Sequence, residues 1–224
     1  PIWKGLLSFA LPIFLGNLFQ QLYNTADTLI VGNFIGKEAL AAVSSSGNLI
    51  FMLVGFLSGM AMGAGVLISK YFGAKDHQRL TTAVHTALAF GLAAGLLMTV
   101  VGVLLTPHIL GWMGTPENVL PQSVAYFRTY FYGGVAMFLY NICTGILQAV
   151  GDSRHPLYYL ILSSLINVSL DLLFVGGLRM GVASAAAATV ISQGVSALLC
   201  LRRLVRTEAV YRVDLRRVRI DWPM

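Results

Sequence analysis

Six apolar runs, each about 20 residues long or longer, dominate the sequence: Leu6–Val31, Ala39–Ser69, Thr82–Thr106, Val124–Val150, Leu157–Val175 and Gly181–Leu201. Each can cross a bilayer as an α-helix, which satisfies its own backbone hydrogen bonds where water is absent. Only 11% of the 224 residues are charged while 57% are hydrophobic, so polar side chains are too few to cover a water-soluble globule. The predicted fold is therefore an all-α integral membrane protein, a bundle of six transmembrane helices. The second run is long for one crossing, and Gly55, Gly59, Gly63 and Gly65 within it permit close helix contact, a kink or tilt. The first run has no small-residue cleavage site and carries Asp27, so it reads as a mature span and not a signal peptide. Cys143 and Cys200 both lie in apolar stretches and imply no disulfide scaffold.

The basic residues orient the bundle. With the amino terminus in the cytoplasm, only Lys37, Arg128 and Arg179 fall on the outer side, and the other twelve of the fifteen Lys and Arg residues fall on the inner side. That asymmetry places both termini in the cytoplasm. It also accounts for the net charge of +6 without nucleic acid, since the Arg-rich stretch from Arg202 to Arg219 has no interleaved aromatics or binding motif. That stretch reads as a solvated, lipid-facing linker. The domain division is a transmembrane lobe over 1–205 and a basic cytoplasmic tail or inter-lobe linker over 206–224.

Two acidic residues remain inside apolar runs, Asp27 in the first and Asp171 in the fifth. Each costs about 2.5–3.5 kcal/mol at a helix centre on insertion scales, so such residues usually mark a function. Both spans run outward, which puts both carboxyl groups in the outer half of the membrane. Asn167 lies one helical turn before Asp171 on the same face, with Ser163 and Ser164 a turn earlier. Span six runs inward, so Thr189 also lies in the outer half, and span one adds Gln20, Gln21, Tyr23, Asn24 and Thr25. Two carboxyls among amide and hydroxyl oxygens form a pocket suited to a cation or proton. Loss of water favours the neutral form of a carboxyl, and a second carboxyl nearby adds to that preference, so the pair can hold a proton and yield it to water or a cation.

Other candidates carry less. Arg128 with Tyr126, Phe127, Tyr130, Phe131 and Tyr132 reads as an interfacial belt at the outer mouth of span four. His77, His85, His108 and His155 are scattered without metal-ligand spacing, so a sodium ion at the acidic pocket is the one metal the pattern admits. The glycines and the Ala-rich run 183–188 read as small faces for close helix packing. No phosphate-binding GxxxxGK[ST] pattern occurs.

The segments LPIFLGNLFQQLYNTADTLIVGNFIGKEALAA, LISKYFGAKD, GILQAVGDSRHPLYYLI and NVSLDLLFVGGLRMGVASAAAATVISQ, in this order and spacing, resemble the multidrug and toxic compound extrusion (MATE) family over essentially the whole chain. The resemblance implies one lobe of a two-lobe, twelve-helix transporter that exchanges sodium ions or protons for organic, often cationic, drugs by alternating access. It implies a cation- or proton-binding role for Asp27, Asn167, Asp171 and Thr189, and a bending role for Pro12. No drug-binding residues are assigned, and no cofactor is expected beyond the coupling ion. The implied partners are small organic cations, the lipid bilayer and a second six-helix lobe. The implied setting is a prokaryotic plasma (inner) membrane.

One departure stands out: the sequence covers a single lobe and begins with Pro1, which suggests the amino-terminal part of a longer transporter or a half-size lobe that pairs with another. A lipid-linked saccharide flippase of the same superfamily is disfavoured because the intramembrane charge is acidic, whereas a pyrophosphate would call for cations. An intramembrane aspartyl protease using Asp27 and Asp171 lacks a GxGD sequence, the sole Gly-Asp pair being Gly151-Asp152. A purely structural membrane module would show no cation dependence. The expectation is a cation-coupled multidrug efflux antiporter, not an enzyme.

Overall fold

The computed structural model describes residues 2–218, apart from the side chains at 2, 45, 46, 48 and 217. Pro1 and the end of the basic tail, Arg219 included, lie outside the described residues. Helices α1 (Ile2–Phe34), α2 (Lys37–Gly73) and α3 (His77–Trp112) are each long enough to span a bilayer with turns to spare. They are followed by α4 (Leu120–Tyr132), α5 (Gly134–Ala149), α6 (Arg154–Asp171), a π-helical turn (Leu172–Gly177) and α7 (Ala183–Arg206). A short 3-10 turn, Leu215–Arg217, follows. No strand occurs among the described residues.

The fourth predicted span is not one straight helix. It breaks at Gly133, and α4 meets α5 at 49°. Five helices are therefore long apolar spans, and the α4–α5 pair makes the sixth in bent form. The reason lies in packing more than in Pro or sequence period. A Cβ on Gly134 would meet Thr99 Oγ1 at 2.5 Å, and one on Gly95 would lie 2.9 Å from the Val135 Cα, so α3 and α5 touch almost backbone to backbone. The glycines of α2 behave differently. Its helix runs unbroken through Gly55, Gly59 and Gly63, which have open space where a side chain would be, and only Gly65 approaches a neighbour, the Gly145 carbonyl of α5. The Ala-rich start of α7 fulfils its packing role: Ala185, Ala186 and Ala188 are fully buried.

α5 sits at the centre, against α2, α3 and α7, while α6 bridges α7 to the more peripheral α1. One core cluster, around Ile68, Leu80, Leu88, Ile146 and Leu204, fills the end of the bundle that carries the α2–α3 and α5–α6 connections. Another, around Val31, Leu57, Tyr130, Phe138, Val175 and Ala186, fills the opposite end. The outer faces are apolar, as with Phe14 on α1, Phe51 on α2 and Leu97 on α3, all more than half exposed. Such a surface is stable against lipid chains and costly against water.

The aromatic cluster of α4 departs from expectation. Tyr126, Phe127, Tyr130 and Phe131 are buried, and Tyr132 alone of the five faces outward. The stretch after α7 also departs: it is not simply a solvated linker. Val213 is buried, its N–H donates to the Leu204 carbonyl at 3.0 Å, and Tyr211 meets the Phe72 ring edge-on. The Asp214 N–H donates to His85 Nε2 at 3.0 Å, while His85 Nδ1 bonds the Thr81 carbonyl at 2.7 Å. His85 thus pins the tail to α3 as a neutral ring with its proton on Nδ1. We expect His85→Ala to speed tryptic cleavage at Arg212 and Arg216 by about tenfold, the cost of one lost, partly buried hydrogen bond. Unchanged cleavage would assign the docking to Val213 and Tyr211 alone.

Candidate functional site

Asp27, Asn167, Asp171 and Thr189 meet in the interior, where α1, α6 and α7 converge. Asn167 and Asp171 are completely buried, and Asp27 and Thr189 nearly so. Helical periodicity explains why: Tyr23 and Asp27 share the inner face of α1, and Asn167 and Asp171 share that of α6. Asn167 Nδ2 donates to Thr189 Oγ1 at 3.3 Å, and that hydroxyl in turn donates to the Ala185 carbonyl at 3.2 Å. This ties α6 to α7. The carboxyl groups of Asp27 and Asp171 are close enough to interact electrostatically.

Few donors serve these acids. Both oxygens of Asp171, Oδ1 of Asp27 and Oδ1 of Asn167 are buried with no hydrogen-bond donor. A buried carboxylate without donors is expensive, whereas a proton shared between the two acids, or a cation drawing on the orphaned oxygens, satisfies them. Asp171 is also the last residue of α6 before the helix widens into the π turn. Such turns recur at functional positions because they aim a side chain off the regular helical face. Gly176 in that turn lets Phe34 of α1 pack against it.

The polar surroundings differ from those expected. Gln21, Asn24 and Thr25 face outward, with Thr25 Oγ1 bonded to the Gln21 carbonyl at 2.9 Å and Asn24 Nδ2 to Gln21 Oε1 at 3.4 Å. Ser163 and Ser164 are buried but spend their hydroxyls on the Leu160 carbonyl. In their place the structure supplies Gln193, Tyr126 and Tyr130. Gln193 Nε2 donates to the Tyr23 hydroxyl at 3.5 Å, and Tyr23, Tyr126 and Tyr130 all lie in the electrostatic neighbourhood of the acids. Gln193 had a sequence signal, since it follows Thr189 by one helical turn. The α4 tyrosines had none, because only the bend at Gly133 turns them inward. Among the described residues no group of three or more His, Cys, Asp and Glu side chains could hold a metal.

Pro12 stands apart from this cluster. It lies inside α1 and lines a cavity of about 790 Å³ bounded by α1, α2, α5 and α6. Thr189→Val keeps the shape and removes the acceptor for Asn167, so we expect a loss of about 1 kcal/mol, read as lowered thermal stability in detergent. An unchanged melting temperature would mean the Asn167–Thr189 contact contributes nothing to holding α6 on α7.

The sequence model of one family, MatE, matches residues 12–173. The chain belongs to the MatE family. MatE proteins are transporters and not enzymes, and the chain is a multi-pass integral membrane protein corresponding to one lobe of a MATE transporter. The probable multidrug resistance protein YoeA of Bacillus subtilis is 38% identical over 195 residues, covering 85% of this chain and 42% of that protein. The multidrug export protein MepA of Staphylococcus aureus is 24% identical, covering 96% of this chain and 48% of that protein. Among solved structures, a MATE transporter in the bent conformation superimposes with a TM-score of 0.90 at 26% identity, covering 98% of this chain and 49% of its own. The chain thus spans about half the length of the MatE relatives it matches.

Proposed function

We propose that this MatE lobe is the amino-terminal half of a multidrug efflux antiporter, coupled to Na+ or H+ and working by alternating access with a second six-helix lobe. The buried, donor-starved carboxyl pair Asp27–Asp171 carries this reading. Asn167 and Thr189 complete the oxygen set, with Asn167 Oδ1 available as a neutral ligand. In the bilayer, residues 1–205 form the lobe and 206–224 the linker, both termini face the cytoplasm of a prokaryotic cell, and the inner membrane is the setting. The exported compounds are small organic cations. That polarity is supported by the absence of any buried Lys or Arg among the described residues, where a flippase for pyrophosphate-linked lipids would need them.

The coupling follows from differential binding. A proton or Na+ held between the two acids offsets their mutual repulsion, pulling α1 toward α6; loss of the ion releases α1, with Pro12 as the point where its missing N–H weakens the helix. Drug export from vesicles holding this lobe with its second lobe, under proton and sodium gradients imposed separately, tests the reading. Export driven by one of them is expected, and export indifferent to both would overturn it. Pro12→Ala should slow gradient-driven export by about tenfold or more while leaving the fold intact, because it stiffens α1 at its flexing point. Wild-type rates in that variant would remove Pro12 from the mechanism.

A further inference from the structure

The segment after α7, residues 207–218, folds back onto the bundle as a strap with three anchors. The Val213 N–H donates to the Leu204 carbonyl of α7 at 3.0 Å, and the Tyr211 ring meets Phe72 of α2 edge-on with centroids 6.3 Å apart. The third anchor is the Asp214 N–H, which donates to His85 Nε2 of α3 at 3.0 Å. The strap is shaped locally for this. The Arg212 N–H donates to the Ala209 carbonyl at 2.9 Å to make the turn, and the Asp214 carboxylate accepts from the Arg216 N–H at 3.0 Å to start the 3-10 turn. One segment thereby ties together α2, α3 and α7 at the end of the bundle that carries the α2–α3 connection.

The His85 anchor differs from the other two in depending on a proton. Both ring nitrogens are engaged by backbone groups whose roles are fixed: Nε2 faces an amide N–H, which can only donate, and Nδ1 lies 2.7 Å from the Thr81 carbonyl, which can only accept. The ring therefore holds the strap only as the neutral form with its proton on Nδ1. A second proton would set an N–H on Nε2 against the Asp214 N–H, two donors with no acceptor between them. It would also place a positive charge on a residue that is only 4% exposed.

Imidazole is the side chain whose ordinary charge change falls between about pH 5 and about pH 8, and the other groups near the ring are of other kinds. Tyr71 of α2, Tyr140 and Cys143 of α5, Tyr159 of α6 and Cys200 of α7 lie in or against the core cluster that borders His85. On the strap, the Asp214 carboxylate is engaged by the Arg216 N–H, while Arg212 and Arg216 are exposed. Arg203 of α7 is turned toward Asp152 at 3.9 Å; on α3 itself, Arg79 pairs with Asp76 at 3.6 Å and His77 is exposed at the helix start.

We infer that His85 is a proton-sensing site, separate from the Asp27–Asp171 pair, that works the strap as a latch: docked while the ring is neutral, released when the ring takes up a second proton. The docked state excludes that proton and the released state accepts it. By linkage, docking is therefore complete at high pH and is lost as the pH falls. Release leaves Val213 and Tyr211 as the remaining anchors and loosens the tie across α2, α3 and α7.

The test follows amide hydrogen exchange of the full chain in lipid nanodiscs, with each rate compared with that of an unstructured chain at the same pH. Protection of the Val213 and Asp214 amides should fall by about tenfold or more between about pH 8 and about pH 5, while that of the Ile146 amide in the core of α5 stays constant. The 15N shifts of the His85 ring, identified by their loss in His85→Gln, should show the second proton arriving at the same midpoint. His85→Gln keeps a neutral donor and acceptor and takes up no proton, so its strap should show no pH response. Replacing both Asp27 and Asp171 by Asn should leave the response as in the wild type. Constant or rising protection in the wild type overturns the latch, as does a His85→Gln strap that releases in acid, or a response that vanishes with the two carboxyls. If His85→Gln leaves the strap undocked at every pH, the wild-type ring and amide midpoints decide: coincidence supports the latch, and a ring that gains its second proton with the strap still docked overturns it.

Discussion

Asp171→Asn should abolish ion-driven drug export, lowering it by about a hundredfold or more, while leaving the lobe at least as stable as the wild type. Both parts follow from one circumstance: Asp171 is completely buried and neither of its oxygens meets a donor. A side chain kept only for stability would have found partners, because an unserved buried acceptor costs about 1–3 kcal/mol. The amide is nearly the same shape, needs no desolvation of a charge, and can donate to the Asp27 carboxylate. Its stability should therefore hold or rise by about 1 kcal/mol as read by thermal unfolding in detergent. The function should vanish because an amide neither releases a proton nor supplies the charge that holds Na+. A variant that transports normally would reduce Asp171 to a packing residue, and one that fails to fold would show that the acid is structural after all.

Gly95→Ala should destabilise the membrane core by about 1–3 kcal/mol, the usual cost of forcing extra volume into a packed site. The added methyl would lie 2.9 Å from the Val135 Cα and 3.1 Å from the Phe138 Cβ, so a rotamer change cannot relieve it and α5 must shift. Because α5 begins at the Gly133 bend that turns Tyr126 and Tyr130 toward the acids, the damage should reach the site as reduced transport beyond what lowered protein abundance explains. Gly59→Ala is the control. Nothing lies within 4 Å of its new methyl, and helix propensity favours it by about 1 kcal/mol, so stability should hold or improve. Equal losses at both positions would mean that the α3–α5 approach is not what limits packing.

These two cases also show where the sequence speaks and where it falls silent. Spans one, two, three, five and six are legible in the apolar runs because lipid demands apolar length, and each observed helix contains or closely matches its run. Asp27 and Asp171 are legible for the converse reason, that acids inside such runs are costly. Gly91, Gly95 and Gly102 of α3 look like the glycines of α2, yet only the α3 set is pressed against α5 and α4, since which face meets a neighbour is decided by tertiary packing. The break at Gly133 follows from that packing, and with it the inward turn of Tyr126 and Tyr130, which in a straight span read as an interfacial belt. Along α1, the polar run from Gln20 to Asp27 has no clear preference in composition, and only the helical phase separates inward Tyr23 and Asp27 from outward Gln21, Asn24 and Thr25. The tail shows the same limit: its Arg residues dominate its composition, and the two apolar residues that dock it, Tyr211 and Val213, are outnumbered.

The central claim is that Asp27 and Asp171 bind one cation or proton as a unit. The most direct measurement is ion binding by the purified lobe, by proton uptake and by Na+ titration, in wild type, Asp27→Asn, Asp171→Asn and the double variant. A shared site predicts that either single substitution removes the bound ion and that the double variant loses nothing more, since two groups acting together are not additive. Independent, additive losses from the two single variants, or full binding in the double variant, would contradict it.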